Sequence, residues 1–331
     1  MKFESAGTSV KQENPKQFVE HFEESRIHVD QDFRSLYTDF DSDMLRTEQL
    51  EAEFNAPDKQ ESLGKVAEGL VFSLMSEGRI GEHLDFRATH PYDDYCHGVD
   101  VVVEPKRKSL PALATFDITI NQEDIKWRER RGNNLADVRP SGLEGKLQRS
   151  KKYIEQLSAF SPDEARELLG WLDSGGLHEK HTSANNALFK KAEAAILMKY
   201  YRTPESSNEP NRPGFVIGGP RSVISIDTVF VNRALQGNAR AKEMIRAISF
   251  VEFAMGISAE QEYLDTLTRM RPHKNALFDT HYSRVNAWSR ILQQSELQGL
   301  LRSFLKEQER DTDFNDQLSY YRRMLGKTFG I

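Results

Sequence analysis

Cysteine is almost missing from this chain: Cys96 is the only one in 331 residues. No internal disulfide can form, and a zinc site built on cysteine pairs is impossible, which excludes a disulfide-stapled scaffold and a zinc ribbon. Long apolar runs are missing too. No stretch approaches the roughly 20 residues of a membrane span, and the opening MKFESAGTSVKQENPKQF has no apolar centre of the kind a secretory leader needs. The expectation is a cytoplasmic protein with no membrane partner. There is no internal repeat and no low-complexity tract. What is present suits a globular chain: 38% hydrophobic and 29% charged residues, with a mean hydropathy of -0.64. That is enough apolar material for a core and too much for a disordered chain. At roughly 150 residues per domain, the length fits two domains, or one core with large additions.

The net charge of -6 argues only weakly against a nucleic-acid partner, because its distribution is uneven. Residues 1–60 hold 7 Lys/Arg against 14 Asp/Glu, a net of -7. Residues 121–156 hold 9 against 6, and residues 266–331 hold 11 against 7, so both are mildly basic. Ordinary solvated helix faces would also give blocks of this size.

Residues 1–15 read as a polar lead and residues 16–54 as helix, broken at Asn55-Ala-Pro57. A helix is expected from about Glu61 to Glu77, with Val66, Ala67, Leu70, Val71 and Leu74 on its apolar side and Gly78 as its stop. The β-branched run Gly98–Glu104 and the run Ala112–Asn121 then read as two strands of a hairpin around Pro105–Pro111. Helices are expected near 143–159, 163–172 and 184–201. Two short strands, 214–218 and 222–226, are joined by Gly218-Gly219-Pro220-Arg221, read as a hairpin turn. Helix continues from Thr228 to the end, with Pro272 as its clearest break. Three segments result: an acidic helical extension over 1–58, an α/β core over 59–235 and a helical region over 236–331.

Three acids stand out. Aspartate is disfavoured inside strands, so Asp100 and Asp117 in two apolar strands call for a reason. With the hairpin centred between Lys108 and Ser109, paired residue numbers sum to 217 and Asp100 falls opposite Asp117. Two like charges at that separation repel; a divalent cation held between hard oxygen donors reverses the sign. Glu68 lies in the preceding helix on a stripe with Gly64, Phe72 and Met75, where an unpaired carboxylate is expensive. The plainer readings are exposed edge residues for the aspartates and a salt bridge from Glu68 to Lys65.

The order of these features resembles the PD-(D/E)XK nuclease superfamily, the restriction-endonuclease-like fold. The matching residues are Glu68 in GKVAEGLVF, Asp100 in HGVDVVVE and Asp117 in TFDITI, over roughly residues 60–235. The resemblance implies an α/β core of helix, β-hairpin, helix, strand and helix with helical additions at both ends. It also implies a Mg²⁺ (or Mn²⁺) ion on Glu68, Asp100 and Asp117, and phosphodiester hydrolysis in DNA or RNA. Thr119 occupies the place of the family's lysine, so Lys126 or Lys146 would have to supply the missing charge, or the activity is lost. The alternative is an inactive nuclease-fold protein serving as a nucleic-acid-binding or assembly subunit. Members of this family often pair, so a homo-oligomer is a further expectation.

Basic residues near the strands suit a nucleic-acid surface: Lys126, Arg128, Arg130 and Arg131 around Trp127, then Lys146, Arg149 and Lys152 on one helix face. A solvated loop and helix would carry the same residues. His178 and His181 read as a turn. His90 and His97 flank Tyr92-Asp-Asp-Tyr-Cys96 close to Asp100, where His97 is a candidate proton donor or phosphate contact. Cys96 reads as a small packed residue. Gly218–Arg221 lacks the phosphate-loop pattern. The C-terminal apolar residues Trp288, Leu292, Leu300, Leu301, Phe304 and Tyr320 read as core or as an oligomer interface.

Overall fold

The computed structural model describes residues 14–34, 37, 40–54, 63–106, 113–121, 143–173, 188, 191–192, 195–201, 216–270 and 275–308. Three helices come first: α1 (Pro15–Glu24), α2 (Gln31–Arg34) and α3 (Phe40–Phe54). The single helix expected over 16–54 is therefore divided. Asn14 caps α1 by accepting the Lys16 N–H at 3.2 Å, with Pro15 at the first helical position, where its missing N–H costs nothing.

Helix α4 (Leu63–Ser76) is the centre of the molecule. Val66, Ala67, Leu70, Val71 and Leu74 are all buried, as their spacing predicts. Gly69 lets α1 come close, since a Cβ there would lie 2.4 Å from the carbonyl oxygen of Phe18. After the single turn α5 (Gly78–Gly81), strands β1 (Leu84–Ala88), β2 (Val101–Pro105) and β3 (Ala114–Asn121) form an antiparallel meander. Strand β1 was not expected from the sequence. It is only five residues long and carries Asp85 and Arg87 on its outer side.

Helices α6 (Leu143–Ser158) and α7 (Pro162–Asp173) match expectation. The helix expected over 184–201 does not reach its end, because β4 (Ile196–Met198) pairs with β5 (Val216–Ile217) in a separate two-stranded sheet. A short run that is apolar throughout has no period to separate helix from strand; here the partner strand decides. Strand β6 (Arg221–Asp227) then runs parallel to β3 and completes the order β1-β2-β3-β6. Gly218–Arg221 is thus no hairpin turn: it carries the chain from one sheet to the other. Helices α8 (Thr228–Leu235), α9 (Ala239–Met270), α10 (Ala276–Leu292) and α11 (Ser295–Gln308) follow.

The sheet is covered on both faces. On one side Leu84, Phe86, Val101, Val103, Phe116, Ile224 and Ile226 join α4, α9, α10 and α11 in one apolar cluster. On the other, Val102 and Leu113 join Tyr153, Leu157, Leu168, Met198 and Ile217 in a second. Trp288, Leu292, Leu300, Leu301 and Phe304 are core residues of the first cluster, and Tyr320 lies outside the described residues. No helix among the described residues is long and apolar enough to cross a membrane.

Candidate acidic site at the head of the central strands

The β2–β3 register is the expected one: Val101↔Phe116, Val102↔Thr115 and Val103↔Ala114. Asp100 lies one residue beyond this ladder. There its N–H donates to the Phe116 carbonyl at 3.2 Å, one step out of register, and its Oδ2 accepts the N–H of Ile118 at 2.6 Å. Asp100 therefore brackets Asp117 from across the strands, beside it and not in strict ladder opposition. Asp100 is buried and Asp117 half-buried; Thr119, two residues along β3, is exposed.

Glu68 projects from α4 and is half-buried. It forms no salt bridge with Lys65, whose ammonium instead lies 3.6 Å from Glu51. Burial first, then the negative charge of Asp94, raises the Glu68 carboxyl to about 8; Arg26 and Lys65 oppose the rise and Asp117 adds to it. Burial and then Glu68, Asp94 and Asp117 push Asp100 well above the usual carboxylate range, against the pull of the Ile118 N–H. Glu68, Asp100 and Asp117 thus feel one another, and the structure adds a fourth acid, Asp94.

Sequence reasoning missed Asp94 and its partner Arg26. Asp94 sits in a π-helical turn, Asp93–His97, a geometry that recurs at functional sites. The turn sends its two consecutive aspartates to different places. Asp93, fully buried, accepts the backbone N–H groups of Lys199 at 2.6 Å and Tyr200 at 2.9 Å, and its Oδ1 lies 2.9 Å from His97 Nδ1. Asp94 pairs with the Arg26 guanidinium at 3.0 Å. Arg26 also donates to Glu23 at 2.6 Å and to the Thr89 carbonyl at 2.9 Å, and lies over the Phe22 ring. The adjacent aspartates are visible in the sequence, but nothing in it announces the π turn or the arrival of Arg26 from a loop 68 residues away.

His97, the candidate proton donor, is half-buried with its Nδ1 on Asp93. His90 is buried against Phe40 and Tyr200, and burial lowers its imidazole to about 4. Cys96 is half-buried beside the aromatic group of Tyr37, Tyr92 and Tyr200, and burial raises its thiol. Lys126, Arg128, Arg130, Arg131, His178 and His181 lie outside the described residues, Lys146 and Arg149 fall within α6, and Lys152 is exposed on it.

The donor set consists of oxygens, which suits a hard divalent cation. A Glu68 carboxyl raised by burial and then by its acidic neighbours is what such an ion would relieve. Among the described residues, no three His, Cys, Asp or Glu side chains are placed to hold an ion together as they stand. No family model matches the chain, and neither a curated protein nor a solved structure is significantly similar to it.

Proposed function

We propose that the protein is a divalent-metal-dependent nuclease of the restriction-endonuclease-like type. The observation that carries the reading is a joint one. Helix α4 and the short turn α5 are followed by an antiparallel three-strand meander, then by α6, α7 and the separate two-stranded sheet, and then by a fourth strand parallel to the third, and Glu68, Asp100 and Asp117 share one electrostatic environment on α4 and at the central strands. Asp100 and Asp117 would hold Mg²⁺ or Mn²⁺, with Glu68 binding it directly or through water. The ion would supply a clamp on the phosphate and a more acidic bound water. The chain's own contribution is to gather the acids. The Ile118 N–H fixes one oxygen of Asp100, and Arg26 takes up the charge of Asp94 so that it does not compete at full strength.

Thr119 favours a second reading, a nuclease-fold subunit that binds nucleic acid without cutting it, because a threonine hydroxyl cannot place a positive charge beside an attacking water. Incubating supercoiled DNA, single-stranded DNA and RNA with Mg²⁺ or Mn²⁺ separates the two. Cleavage by the wild type that Asp117→Ala lowers by about a thousandfold is the expected result. Salt-sensitive binding with no cleavage in either protein would install the second reading.

A further inference from the structure

Asp100, which leads into β2, follows an unusual turn. Gly98 has φ 62° and ψ 50°, the left-handed conformation that glycine adopts without strain. Two residues later the chain must present Asp100 to the Ile118 N–H. What holds this turn comes from the other side of the sheet. The Arg221 Nη2 donates to the His97 carbonyl at 2.6 Å and to the Gly98 carbonyl at 2.8 Å. The fit is close: a Cβ on Gly98 would lie 3.0 Å from that same Nη2.

Arg221 is itself firmly seated. It opens β6 opposite Thr115 of β3. Its N–H donates to Glu260 Oε2 at 3.1 Å, and its carbonyl accepts the Ser150 hydroxyl at 3.1 Å. Glu260 Oε1 lies 3.0 Å from His281 Nε2, both side chains fully buried. His281 Nδ1 in turn accepts the Gly219 N–H at 2.9 Å. The base of the arginine is thus tied to α6, α9 and α10, while its tip holds the turn before β2.

We infer that Arg221 is a positioning residue: by bridging the carbonyls of His97 and Gly98 it fixes the left-handed turn that aims Asp100 into the acidic site. The inference rests on the reading of Asp100 as a site carboxylate for its meaning in function, but its geometry is testable without that reading. The Arg221 guanidinium is spent on the His97 and Gly98 carbonyls, so its part in the site is exerted through Asp100.

The test is amide hydrogen exchange at Ile118, whose N–H reports the place of the Asp100 carboxylate, alongside a Mn²⁺ titration of the same proteins. In Arg221→Met the Ile118 amide should exchange about tenfold faster or more, while Ile224 and Ile226 on β6 keep their protection. Arg221→Lys, which retains a donor for the carbonyls, should restore most of the protection, as a merely bulky filler would not. Mn²⁺ affinity should fall in the variants that lose protection and recover in the lysine variant. Should Arg221→Met fail to fold, Arg221→Gln, whose amide is too short to bridge both carbonyls, should give the same Ile118 signature. Unchanged Ile118 exchange in a folded Arg221→Met or Arg221→Gln protein overturns the inference. Loss of protection in a protein whose wild type binds no Mn²⁺ upholds Arg221 and removes the metal reading.

Discussion

A carboxyl with a raised pKa is a burden on the fold that contains it. Glu68 titrates near 8 in the folded chain against an ordinary value of 4.5. Between those two pH values the folded state holds a proton that the unfolded state has released, so stability falls as pH rises through this window. Glu68→Gln removes the burden. At pH 8 in the absence of divalent metal, urea denaturation should show the variant more stable than wild type by about 1–3 kcal/mol, and the two should converge near pH 4.5. Equal stability at pH 8 would mean that Glu68 is comfortably solvated. At this scale the sequence was informative where a residue broke a local rule: an aspartate in a strand, a glutamate on an apolar stripe. It was silent on Asp94 and Arg26, because each follows the rules of its own segment and acquires meaning only through a contact with the other across 68 positions.

Among elements, a buried polar link fastens α3 to the core. Asp43 on α3 pairs with the buried Lys199 ammonium just beyond β4 and accepts the Tyr200 hydroxyl at 2.6 Å. Tyr37 donates to the Lys199 carbonyl at 3.0 Å, and the ammonium lies 5.3 Å from the Tyr92 ring centre. Removing one partner of a buried pair strands the other charge. Asp43→Ala should therefore cost about 3–5 kcal/mol in chemical denaturation, while Asp43→Leu combined with Lys199→Met should recover much of that loss. A single variant within about 0.5 kcal/mol of wild type would place this pair among the weak surface bridges. The long periodic helices were legible in the sequence because three or more turns of pattern outweigh local noise, as in α4 and α9. Strands β1 and β4 were not. One is short and flanked by charges, the other is uniformly apolar, and both are defined by partners distant in sequence.

Over the whole molecule, one apolar cluster runs from Phe22 of α1 through the sheet to Leu305 of α11. The acidic N-terminal segment, the α/β core and the C-terminal helices thus contribute to a shared interior, although composition and charge divide them. A calorimetric scan should show a single cooperative transition; two resolved transitions would mean that the helical additions fold apart from the sheet. The mixed α/β character was readable from the order of segments, and the register from the symmetry of the hairpin, whereas the second sheet arises from pairing that no local pattern encodes. If the acids gathered by this architecture form a cation site, Mn²⁺ calorimetry at pH 7 in two buffers of different ionisation enthalpy will register both the ion and the protons it displaces. Because burial and its acidic neighbours raise the Glu68 carboxyl to about 8, the wild type should bind Mn²⁺ at pH 7 with proton release, and both the binding and the release should vanish in Asp100→Asn. Binding of equal strength in wild type and variant, or no binding by the wild type, would mean that these acids hold no cation.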